Sequence, residues 1–226
     1  MNDNDVPSVT LTPDAALARL LEEARTLVER HEGRVVLGIA GGPGVGKSTL
    51  TERLVAALNA ETPGIAAYLP MDGFHMLHKK LEELGTVKDK GAPHTFEAGA
   101  FATFLSGVKA AKGPLRAPGY SRKIEDVVQD AYVIPAAARI VVVEGNYLLL
   151  AAPPWQQVGP QLDRAIFLSV PRDVARTRLL KRHGEEGLFN DERNRRHVDN
   201  VDLVNFDLVA ASRERADLAI DIVSEG

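Results

Sequence analysis

Apolar residues gather along this chain in short unbroken runs set apart by mixed segments. Val35-Val36-Leu37-Gly38-Ile39-Ala40 is apolar at every position, the pattern of a strand buried on both faces of a parallel sheet. Ile140-Val141-Val142-Val143 repeats it with β-branched residues alone, the mark of a central buried strand. Residues 65–70, 165–170 and 218–223 are three further strand candidates. The segments between them read as helices over residues 47–60, 77–84, 96–112, 171–183 and 191–211. Ahead of the first strand, Thr12-Pro13-Asp14 supplies a helix cap and a proline suited to the first turn, and Gly33 closes that helix after residue 32.

Two stretches break the alternation. Residues 85–93 turn to Gly, Lys and Pro and read as a mobile loop, and residues 113–135, with Pro114, Pro118, Gly119 and Pro135, read as irregular. The order of elements predicts an α/β fold with a doubly wound, parallel, five-stranded sheet in the order 2-3-1-4-5. Residues 1–226 form one domain in this reading, with residues 75–135 inserted as a substrate-binding region.

The first strand runs directly into Gly41-Gly42-Pro43-Gly44-Val45-Gly46-Lys47-Ser48, a complete G-x-x-x-x-G-K-S phosphate-binding loop. Glycines let successive backbone N–H groups turn inward around a phosphate, and the N-terminus of the following helix adds its partial positive charge. Gly41, Gly42, Gly44, Val45, Gly46 and Thr49 thus belong to a nucleotide cradle, Lys47 reaches the β- and γ-phosphates, and the Ser48 hydroxyl suits Mg²⁺. Asp72 lies just beyond the second strand, at the edge where open α/β sheets bind ligands. A carboxylate there can take the proton of a substrate hydroxyl attacking the γ-phosphate, although an Asp-Gly pair also starts turns on its own account. Glu144 follows the valine-rich strand at the same edge, where an acid serves the Mg²⁺ shell. Arg178 and Arg182, four residues apart, share a helix face and are candidates to close over the phosphates as part of a lid over residues 171–200.

Composition narrows the partners. The chain has 226 residues and a net charge of -4, so no global basic field draws it to nucleic acid or an anionic membrane. It has no cysteine, hence neither disulfides nor thiolate metal sites, and its acidic start, Met1-Asn2-Asp3-Asn4-Asp5, is unlike a leader. No apolar stretch approaches the ~18 residues of a membrane span. These features predict a cytoplasmic protein and leave a homodimer open. The loops facing the phosphates carry His75, Lys90, His94, Tyr120 and Arg122, an inventory suited to a polyhydroxylated or weakly anionic acceptor.

The chain resembles the P-loop kinases of the uridine kinase, phosphoribulokinase and bacterial pantothenate kinase superfamily. The resemblance rests on Gly41 to Ser48, Asp72-Gly73-Phe74-His75, Lys90 to Glu97, Tyr120-Ser121-Arg122, Glu144-Gly145-Asn146-Tyr147 and Arg213 to Asp217. Lys-Gly-Ala-Pro-x-Thr-Phe and Glu-Gly-Asn-Tyr look most like the small bacterial kinases labelled fructose-transport or nucleoside/nucleotide kinases. Uridine kinases carry Tyr where this chain has His75, and pantothenate kinases have Gly-Phe-Pro-Glu-Ser-Tyr in place of Gly91 to Phe96. The resemblance implies ATP-dependent phosphotransfer to a hydroxyl of a small metabolite, with Asp72 as base, a lid bearing Arg178 and Arg182, and a purine-adjacent segment containing Arg215. ATP is the expected donor because the chain has no Asn-Lys-x-Asp guanine-reading motif. The alternative is a switch ATPase, which needs a water-positioning group instead of a hydroxyl-directed base at Asp72.

Overall fold

The computed structural model describes residues 6–186 and 190–223. The first five residues, whose acidity was read above, and part of the expected lid range lie outside it. Strand β2 (Val35–Ala40) is buried at all positions and runs parallel to two others, β6 (Ile140–Gly145) and β7 (Arg164–Ser169). Outside these lie β3 (Ala66–Pro70), against β6, and β8 (Leu218–Ile222), against β7. The expected order of five strands is therefore present. A sixth corrects the count: β1 (Ser8–Leu11) pairs in parallel with β8 and forms the sheet edge. Its four residues are too few and too mixed in polarity to signal a strand, and its ladder bonds come only from the far end of the chain.

Side chains alternate across the sheet as strand geometry requires. Leu37, Ile39, Ile140, Val142, Ile166 and Leu168 face the helices α1 (Pro13–Glu29) and α2 (Lys47–Glu61), which bury Leu20, Leu27, Leu54 and Leu58. The opposite face, with Val36, Val141, Val143 and Phe167, packs on α4 (Ala98–Ala110) through Phe101 and Leu105 and on Trp155. Thr12 caps α1, its hydroxyl accepting from the Ala15 N–H at 3.4 Å.

Residues 113–135 are not irregular. They fold back as an antiparallel ribbon of β4 (Leu115–Ser121) and β5 (Asp126–Ile134), with the register shifted between Ala117 and Gly119. The shift accommodates Pro118, which has no ladder N–H to donate and is the residue that disguises the strand in the sequence. The ribbon lies on the tight 3₁₀ turn Met71–Phe74 so closely that a Cβ on Gly73 would stand 2.0 Å from the Pro118 carbonyl oxygen.

The stretch read as a mobile loop is also tied down. It follows α3 (His78–Leu84), and the Tyr147 hydroxyl donates to the Gly91 carbonyl at 2.6 Å while the Trp155 indole donates to the Pro93 carbonyl at 3.1 Å. Beyond the sheet, α5 (Arg172–Glu186) packs beside α6 (Asp191–His197) and α7 (Leu203–Ala210). A π-helical turn, Val198–Asp202, joins α6 to α7, so the helix expected over residues 191–211 widens in its middle.

Candidate active site

The carboxyl ends of β2, β3 and β6 open into a cleft of about 1150 Å³. The phosphate loop forms its floor. Gly44, at φ +78°, adopts a left-handed conformation in which a Cβ would lie 2.8 Å from the Ala175 carbonyl oxygen, so only glycine lets the loop pass under α5. Gly44, Gly46, Lys47, Ser48 and Thr49 line the cleft with Pro43, while Gly41, Gly42 and Val45 shape the loop from behind. The Gly41 Cα packs against the Leu168 backbone and the Gly42 Cα against Phe206, and Val45 is buried in the core.

Lys47 starts α2 and is nearly enclosed. Its ammonium donates to the Gly42 carbonyl at 3.0 Å and to Asn146 Oδ1 at 2.8 Å. Burial lowers its pKa, and the charges of Glu144 and Asp72 oppose that shift. Glu144 Oε1 accepts from the Ser48 hydroxyl at 3.0 Å and from the Tyr68 hydroxyl at 2.9 Å. Burial raises the Glu144 pKa while Lys47 pulls it down. Burial, followed by the Glu144 charge, also pushes the Tyr68 phenol up, so that it stays a neutral donor. Asn146 was not singled out as a site residue; its place two residues after Glu144 at the strand end is the signal that points to it.

Asp72 enters the cleft from the 3₁₀ turn after β3. Next to it the His75 ring lies between Phe96, centroid to centroid 3.8 Å, and Tyr120, at 4.6 Å. His75 Nδ1 is 2.8 Å from the Asp72 carbonyl oxygen. Burial lowers the His75 pKa, Asp72 opposing it, and the ring is neutral near pH 7. The ribbon brings Tyr120 and Arg122 to the same wall. Lys90 reaches across to the Glu125 carbonyl, its ammonium 5.3 Å from the centre of the Tyr120 ring. Burial raises the Tyr120 pKa and lowers that of Lys90.

On the far wall, Arg178 donates to the Val45 carbonyl at 3.3 Å, and Arg182 lines the cleft one turn along α5. Arg172 and Arg176 on the same helix are held outward in two-point pairs with Asp207 and Asp199. Two expected residues stand apart. His94 is exposed and lies 3.5 Å from Asp89, and Arg215 is exposed on the 3₁₀ turn Arg213–Arg215; neither lines the cleft. Conversely, His183, His197, Asp202 and Asn205 line it without having been marked in the sequence. Eight Lys and Arg side chains face the cleft against four Asp and Glu, although acids outnumber bases 31 to 27 in the whole chain.

No family model matches the chain. A Schizosaccharomyces pombe protein with a provisional uridine kinase name is 34% identical over 84% of this chain and 84% of its own length. The pantothenate kinase of Enterococcus faecalis is 34% identical over 66% of this chain, which spans about half (49%) of that longer protein. Among solved structures, a provisionally named fructose transport system kinase from Silicibacter sp. TM1040 superposes with a TM-score of 0.81 at 34% identity, over 90% of this chain and 98% of that one. The fold and its cleft are those of a P-loop kinase. The chain belongs to the superfamily of uridine kinase-like and pantothenate kinase-like proteins, and its reaction is ATP-dependent phosphotransfer to a hydroxyl of a small metabolite.

Proposed function

We propose that the enzyme moves the γ-phosphoryl group of MgATP to a hydroxyl of a polyhydroxylated acceptor that itself carries negative charge, with Asp72 as the base. The observation carrying this reading is the placement of Asp72 in one cleft with Lys47, opposite the phosphate loop and beside the polar wall of His75, Tyr120 and Arg122. The donor set fits Mg²⁺: Ser48 Oγ and Glu144 Oε1 stand 3.0 Å apart as hard oxygens at the first turn of α2. Ser48 and Glu144 are the residues that would hold the ion, which would supply neutralisation of phosphate charge.

The chain's own residues supply the rest. Loop amides and Lys47 hold the phosphates, with Asn146 fixing the ammonium, and Arg178 and Arg182 spread positive charge over the transferring group. Asp72 receives the acceptor proton as its oxygen attacks in line. The neutral His75 ring, fixed by its two aromatic neighbours, presents a hydrogen-bonding edge to the acceptor. The excess of cations over acids in the cleft exceeds what one triphosphate with its metal calls for, which favours an acceptor bearing a carboxylate or phosphate.

Residues 75–135 then act as the acceptor-binding region and α5 with α6 as the lid of a one-domain enzyme. ATP consumption across a panel of sugars, hydroxy acids, nucleosides and pantothenate, with product masses, tests the reading. It expects consumption coupled to one acceptor class and a product heavier by one phosphoryl group. Hydrolysis at one rate with or without any acceptor would make the protein a switch ATPase.

A further inference from the structure

We infer that the cleft contains a second metal site, separate from the phosphate loop, in which His183, His197 and Asp202 bind a zinc-like divalent transition ion. It goes beyond the proposed reaction and does not depend on it. One ligand atom from each of the three residues lies within 4.8 Å of the others. His183 Nε2 and Asp202 Oδ2 are already 2.9 Å apart, and the two imidazoles meet edge to face at 5.4 Å. Two ligands each about 2.0–2.1 Å from a shared ion stand roughly 3.0–3.4 Å apart. The His183 to Asp202 pair thus has nearly that spacing, and the third ligand closes it by side-chain rotation.

The backbone makes this convergence. His197 and Asp202 are five residues apart, which in a regular α-helix turns them well away from each other. The π turn Val198–Asp202 widens the helix at that point and returns both residues to one face, opposite His183 on α5. Such turns recur at functional sites. The site is sheltered: the side chains of His183 and Asp202 are 16% and 13% exposed. Two imidazoles and one carboxylate are the donors that suit Zn²⁺, Co²⁺ and their neighbours better than Mg²⁺. All three residues line the cleft, so an ion held there would be within reach of molecules that enter it. A bound ion would also clamp α5 to the α6–α7 helix.

The test uses tag-free full-length protein stripped with EDTA and desalted, titrated with Zn²⁺ by calorimetry and with Co²⁺ by visible absorption, without nucleotide. One equivalent of Zn²⁺ and cobalt d–d bands of a low-coordinate site are expected. His197→Ala should weaken Zn²⁺ by more than about 100-fold, beyond the cost of losing a supporting partner. Asp202→Asn, nearly isosteric, should weaken it as well, which guards against a misfolded His197→Ala protein, and circular dichroism checks both. Glu144→Gln should leave the uptake in place. Failure of the folded parent protein to take up either ion overturns the inference, leaving a hydrogen-bonded latch. Uptake that survives both His197→Ala and Asp202→Asn but is lost in Glu144→Gln overturns it too, because the ion then sits at the phosphate loop.

Discussion

At the scale of single residues, Lys47 and Asp72 separate two jobs. Lys47→Ala removes a fixed charge from the transferring phosphates and should lower kcat by about 100-fold or more and weaken ATP as well; steady-state kinetics with calorimetric ATP binding checks both. Asp72→Asn keeps the shape and cannot accept a proton. Phosphoryl transfer should collapse while calorimetric ATP affinity stays near the parent value; equal loss of both would place Asp72 with the metal or the fold. His75 predicts a pH effect whose sign follows from burial. Its native pKa is lowered, so the unfolded chain, titrating near about 6.5, binds the proton at higher pH. Its contribution to stability is full above about pH 6.5 and declines as pH falls toward the native pKa. Urea midpoints between pH 7.5 and 5.5 should fall less steeply in His75→Gln than in the parent protein. That Lys47, Asp72 and His75 share the cleft was legible because each sits in a short motif at the carboxyl edge of the sheet. Asn205 and Asp202 were not, because only the packing of α5 against the α6–α7 helix turns them toward the cleft.

At the scale of elements, the ribbon is what the sequence hid. The apolar residues of its second strand fall in adjacent groups rather than at every other position and the strand is largely exposed, so no alternation betrays it, and Pro118 reads as a breaker until the register shift around it is seen. The buried strands β2 and β6 were legible for the opposite reason, since both faces need apolar residues and leave unbroken runs. The ribbon's seat on Gly73 gives a sharp test. Gly73→Ala puts a methyl group against the Pro118 carbonyl and must displace either the ribbon or the Asp72 turn, costing roughly 1–3 kcal/mol, as overpacking does. Urea unfolding should show that loss. The acceptor KM should rise more than the ATP KM, because Tyr120 rides on the displaced strand and Arg122 follows directly after its end, while the phosphate loop does not.

For the whole molecule, the arrangement gathers the phosphate loop, Asp72 and Glu144 at the carboxyl edge of one sheet, so ligand and fold are thermodynamically linked. A non-hydrolysable ATP analogue with Mg²⁺, at 100 times its Kd, should stabilise the protein by about 2.7 kcal/mol; calorimetric melting of parent and Lys47→Ala proteins at one analogue concentration should show a smaller gain in the variant. Five of the six strands were legible because local hydrophobic runs suffice to find them, and the right-handed crossover rule narrows the orders they can take. The sixth was not, since β1 has no local partner. That pairing also orders events during synthesis. β1 leaves the ribosome more than two hundred residues ahead of β8, the strand it hydrogen-bonds. The nascent chain therefore carries β1 unpaired until β8 has emerged, which makes this edge the place where a chaperone or a neighbouring nascent chain would first find an open template.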